Sequence, residues 1–125
     1  METAITTTLK PIEMDEATWV GRLNEELARF VDLVVREFAP YKIILFGSMA
    51  EGESRLWSDI DIVVVRDTDK NFIDRAMEIR HRFHPTIGID LLVYTPEEFV
   101  SLCEERLFFQ EEILKKGKVL YERGG

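Results

Sequence analysis

Cysteine is nearly absent from this 125-residue sequence. Cys103 stands alone, which excludes an internal disulfide and any cysteine-rich zinc site. Long apolar runs are missing as well. Ile43–Phe46, Ile62–Val65 and Ile89–Tyr94 are interrupted or far shorter than a membrane span. Positive charge is in deficit, with 16 Lys and Arg against 24 Asp and Glu for a net charge of −8. Binding a polyanion draws its affinity from neutralised phosphates, so long nucleic acid is a poor fit. Metal ions or a positively charged partner fit better. Met1–Pro11 hold no apolar segment flanked by positive charge, so no secretory signal is read. A cytoplasmic protein is the economical expectation. No internal repeat or low-complexity linker divides the chain.

What is present suits one soluble α/β domain spanning residues 1–125, with 1–14 as a loose lead-in. Asp15 or Thr18 opens a helix to about Phe38. Its stripe of Trp19, Leu23, Leu27, Phe30, Val31, Val34 and Phe38 recurs every three or four residues, and Pro40 ends it. Lys42–Phe46 and the β-branched Ile60–Val65 are strands. Asp69 to about His84 is helical, with Phe72, Ile73, Ala76, Ile79 and Phe83 along one side. Pro85 and Gly88 precede a third strand, Ile89–Tyr94. Thr95-Pro96-Glu97-Glu98 then combines an N-cap, a first-turn proline and a capping box. That helix runs to about Lys116, Gly117 ends it, and Lys118–Tyr121 is a short last strand. The order α-β-β-α-β-α-(β) predicts a small mixed sheet with helices packed on it.

Chemistry concentrates in Gly47-Ser48-Met49-Ala50-Glu51-Gly52, in Ser58-Asp59-Ile60-Asp61 and in Asp90. Alternation puts Asp59 and Asp61 on one face at the mouth of an apolar strand. Two carboxylates that close repel unless a cation sits between them; a solvated strand entrance is the bland alternative. Asp90 opens a second apolar strand, where a charge needs a partner. If these strands lie side by side and parallel, three carboxylates share one sheet edge and suit Mg²⁺ or Mn²⁺. Gly47 allows close backbone approach, and Ser48 offers a hydroxyl at what could begin a helix, whose N–H groups favour phosphate. A tight turn before a helix explains the same residues without a ligand. For turn and acids to meet, the first strand should run antiparallel to the second. No Lys-Ser/Thr follows Gly52, so this is not a Walker P-loop.

FGSMAEGESRLWSDIDIVVV, with IDLLVY downstream, resembles the polymerase β-like nucleotidyltransferase superfamily, in particular its minimal nucleotidyltransferase branch. Gly47, Ser48, Asp59, Asp61 and Asp90 match that pattern in type, order and spacing; the flanking helices match in outline. The resemblance implies that Gly47 and Ser48 bind triphosphate, with Ser58 and Arg55 beside them. It implies Asp59, Asp61 and Asp90 as metal ligands, with ATP or another NTP as co-substrate and a hydroxyl as acceptor. Glu51 stands where many small members carry Arg, and Arg55 is near enough to substitute. Such members often act beside a helical HEPN-type protein, some as antitoxins. A catalytically inactive binding module and an aminoglycoside-type enzyme are the competing expectations.

Other signals read as structure. Arg75, Arg80, His81, Arg82 and His84 form a basic helix face turned to solvent. His81 and His84 lack a third ligand for zinc, Cys103 is a packing residue, and Trp57 packs beside Ser58.

Overall fold

Four short runs of alternating or apolar residues become the frame on which the acids are held. A computed structural model describes residues 15–52 and 59–124. Helix α1 (Glu16–Phe38) begins where the Asp15 carboxylate accepts from the Thr18 N–H at 2.8 Å, so of the two candidate caps Asp15 is used. Its stripe of Trp19, Leu23, Leu27, Phe30 and Val34 is buried. It ends at Ala39, which takes the left-handed conformation (φ 47°) ahead of Pro40.

Strands β1 (Lys42–Phe46), β2 (Ile60–Val65), β3 (Ile89–Tyr94) and β4 (Lys118–Glu122) form one sheet in the order β3-β2-β1-β4. β1 is antiparallel to β2 and to β4, while β2 and β3 are parallel. The mixed sheet and both strand directions that the sequence required are present. Pleating divides the side chains between two cores. Ile43, Leu45, Ile60, Ile62, Val64, Ile89, Leu91 and Val93 pack with α1 and with α2 (Phe72–Arg82). Ile44, Phe46, Val63 and Val65 pack on the other face with Phe99, Phe109 and Ile113. Asp61 and Asp90 share the parity of this second set.

Two helices differ from the sequence reading. α2 starts at Phe72 instead of Asp69, because the Asn71 side chain caps it by accepting from the Asp74 N–H at 2.9 Å. It stops at Arg82, and Phe83 turns extended to set its ring edge-on to Phe30, 5.2 Å between centroids. Phe72 and Ile73, expected on the packing side, are exposed. α3 (Pro96–Glu105) has the expected capping box between Thr95 and Glu98 but ends eleven residues before Lys116. Arg106 is extended (φ −117°, ψ 123°), and Phe109–Lys115 form a π-helical segment in which the Lys116 N–H reaches the Glu111 carbonyl at 3.1 Å. The interruption lets Phe109 meet Tyr94 and Phe99 at 5.5 and 6.3 Å while Ile113 stays in the same core. Among the described residues no helix is long and apolar enough to cross a membrane.

Candidate active site

The parallel pairing of β2 and β3 sets Asp61 directly opposite Asp90. The antiparallel pairing of β1 and β2 sets Asp61 opposite Phe46, the residue before Gly47. Three strands therefore deliver the carboxylate pair and the Gly47–Gly52 turn to one sheet edge. Gly47 adopts φ 79°, open to glycine at little cost. The next four residues close as successive turns, with the Ala50 and Glu51 N–H groups reaching the Gly47 carbonyl at 3.1 and 3.3 Å. The segment up to Gly52 is thus a chain of turns and not a regular helix.

Glycine also makes the room the acids occupy. A Cβ on Gly47 would stand 2.2 Å from the Asp61 Oδ2, and one on Gly88 would stand 2.3 Å from the Asp59 Oδ1. Asp61 thus packs against the turn, and Asp59 lies against the loop entering β3. Burial, then the hydrogen bond and charge of Asp90, and last the charge of Asp59, push the Asp61 carboxyl up to about 6. Asp61 therefore holds its proton more readily than an isolated aspartate would, in a hydrogen bond to Asp90. Among the described residues, no three His, Cys, Asp or Glu side chains are gathered closely enough to hold a metal ion as they stand. The donor chemistry nevertheless fits one. The paired oxygens are hard ligands, and their mutual repulsion is of the kind that a divalent cation relieves.

Ser48 is half-buried in the turn and Asp59 and Asp90 are exposed at its edge. Arg55, Trp57 and Ser58 lie outside the described residues. Glu51 is exposed, and its charge acts on Lys116, whose ammonium is held protonated first by Glu112 and next by Glu51. The basic face read from the sequence is not a solvated one throughout. Arg75 is buried (8% exposed), donating to the Val93 carbonyl at 3.2 Å and to both Glu98 oxygens at 2.7 and 3.1 Å. Arg80 donates to the Ile89 carbonyl, and Arg82 pairs with Glu37 at 2.6 Å. These cations tie α2 to the sheet, to α3 and to α1, so they are committed to structure; His81 and His84 are exposed. Cys103 packs half-buried in the second core, and burial raises its thiol.

Sequence reasoning missed Glu26. It is 5% exposed on α1, yet accepts from the Thr86 N–H at 2.7 Å and from Arg29 at 2.9 Å. Burial alone would raise this carboxyl, but the Thr86 and Arg29 bonds together prevail and lower it. The signal was its position: three after Leu23 and four before Phe30, it falls on the buried stripe, where a carboxylate requires a partner. Through Thr86 it anchors the loop that ends in Gly88. Glu26→Ala leaves that N–H unpaired and is expected to cost about 1–3 kcal/mol, read by urea denaturation. A change within about 0.5 kcal/mol, the range of ordinary surface substitutions, would show that the loop is held without it.

The family described as Polymerase beta, Nucleotidyltransferase matches residues 29–124, a span that takes in the whole sheet and its acids. The chain belongs to that family. This nucleotidyltransferase is also 34% identical over 104 residues to a Methanocaldococcus jannaschii protein named, on inference, a protein adenylyltransferase. The match covers 79% of this chain and 100% of the relative. A Sulfolobus solfataricus crystal structure, described on inference as a nucleotidyltransferase, overlays with a TM-score of 0.61 at 24% identity. That overlay covers 83% of this chain and 84% of the other, and shows a shared fold. A crystal structure of a toxin-antitoxin with AMP-PNP aligns at 25% identity over 77% of this chain and 73% of that one. Its TM-score of 0.47 is too low to bear on function.

Proposed function

We propose that this nucleotidyltransferase moves AMP from ATP to a hydroxyl of a partner protein. The observation that carries the reading is the Asp61–Asp90 pair facing one another across parallel strands, one residue pair from the Gly47–Ser48 bend. The name of the Methanocaldococcus relative supports adenylyl transfer and a protein acceptor. In this reading Asp59, Asp61 and Asp90 would hold Mg²⁺ or Mn²⁺, which when bound neutralises triphosphate charge and makes the acceptor hydroxyl more acidic.

The chain's own groups do the rest by placement. Gly47 lets the turn lie close to the triphosphate, and the Ser48 hydroxyl donates to a phosphate oxygen, with Ser58 and Arg55 assigned beside them. Asp90, exposed at the edge, faces the acceptor, and the Asp61–Asp90 pair receives its proton. The acceptor oxygen bonds to the α-phosphorus, the bond to the β-phosphate oxygen breaks, and pyrophosphate leaves. The acidic net charge of −8 suits a basic partner, and a HEPN-type helical protein, with this chain as its antitoxin, is the partner we assign.

The test uses ATP labelled at the α-phosphate, Mg²⁺ and a candidate HEPN-type protein. Label should move to the partner, and Asp59→Asn with Asp61→Asn should abolish it. Neutralisation of the partner by that double variant, without label in either case, would replace the enzyme by a contact-only module.

A further inference from the structure

Phe108 is 49% exposed although it belongs to an aromatic chain running across the second face of the sheet. Its ring stands edge-on to Phe46, 6.0 Å between centroids and 90° between planes, and edge-on to Phe109 at 5.7 Å. Phe46 is the residue before Gly47 and the register partner of Asp61. The open ring therefore lies one side chain from the catalytic edge, on the face that Asp61 and Asp90 share. Leu107 beside it is 70% exposed.

The backbone here is unusual as well. The break at Arg106 and the π-helical segment after it direct Phe109 inward and leave Phe108 outward. Core packing accounts for Phe109 but not for holding a second ring at the surface. π-helical segments are rare, and they concentrate where function needs them. Glu111 and Glu112 in the same segment pair with Lys115 and Lys116 at 3.8 and 3.4 Å, so the charges beside the ring are matched. A neutral π-surface is the part of a nucleotide that fits an apolar ring in such surroundings.

We propose that Phe108 is the platform on which the nucleobase of the triphosphate stacks, with Leu107 extending its apolar edge. This rests on the nucleotide-transfer reading above. The phosphates are then gripped at the Gly47 turn and the base is laid over Phe108. Stacking on one ring favours a base without specifying which, so discrimination among nucleotides at this ring is weak.

Isothermal titration with Mg²⁺ present, using ATP and inorganic tripolyphosphate, separates base from phosphate binding. Phe108→Ala should weaken ATP about tenfold and leave tripolyphosphate within about twofold. Phe108→Trp should retain ATP affinity, and Phe108→Leu, which keeps apolar bulk without a π-face, should lose most of it. Unchanged ATP binding by Phe108→Ala, full retention by Phe108→Leu, or equal loss of both ligands would each overturn the stacking role. If the wild-type protein binds neither ligand, the nucleotide reading itself falls and the platform with it.

Discussion

Asp61→Asn is expected to abolish nucleotidyl transfer and, in the absence of divalent cations, to raise the melting temperature. Both effects have one cause. Asp61 sits partly buried opposite Asp90 with Asp59 nearby, and its carboxyl is pushed up to about 6. A raised folded-state pKa means the folded protein binds the proton more tightly than the unfolded chain does. Ionising Asp61 therefore costs stability, and stability falls as pH rises from about 4 through about 6. At neutral pH that cost is fully present. Asparagine removes the charge, and its amide can donate to Asp90 where the Asp61 proton lay. Without cation the variant should melt a few degrees higher at about pH 7, with the gain shrinking toward about pH 4, each kcal/mol being worth roughly 3–6 °C at this chain length. With Mg²⁺ the order should narrow or reverse, because only the wild type gains binding energy. Transfer should drop by at least about a hundredfold, as when a group stabilising transition-state charge is removed. Melts with and without Mg²⁺ at both pH values check this. A variant that melts lower than wild type in EDTA would show that the pair is not strained.

How much of this was legible beforehand depends on the kind of signal. The β1–β3 boundaries and the Asp61–Asp90 register follow from apolar runs bounded by Gly and Pro, and from the need of two charged strand starts to meet. Arg75 was misread because charge was counted before position. Four before the buried Ile79, it lies on the buried side of α2, and its side chain is long enough to reach Glu98 from inside. The break at Arg106 was not legible. The run from Glu104 to Lys116 contains neither Gly nor Pro, and the interruption is imposed by aromatic packing on the sheet. Gly88 was read only as a residue preceding the third strand. That it shelters the Asp59 carboxylate requires knowing that the β3 entrance lies against the start of β2, which the Ile60 N–H to Gly88 carbonyl bond of 2.9 Å secures.

Gly88→Ala should separate that role from folding. The added methyl would stand 2.3 Å from the Asp59 Oδ1, and no backbone atom is among its three nearest contacts. Gly88 does not have the positive φ of Gly47, Gly52 and Gly124, so alanine strains nothing in the backbone. The carboxylate, free to rotate, gives way, and the fold should lose less than about 1 kcal/mol or gain slightly from a stiffer unfolded chain. On the proposed role of Asp59 in holding the metal, transfer should fall about a hundredfold, the scale of a 1 Å misplacement in a positioned site. Gly47→Ala behaves differently, because its φ is 79° and its methyl would meet Asp61, which is confined against Asp90. That substitution should cost about 1–2 kcal/mol of stability in addition to activity. Measuring urea midpoints and transfer rates for the two variants side by side distinguishes them. Wild-type transfer by Gly88→Ala would mean that the position of Asp59 against β3 is incidental to the chemistry.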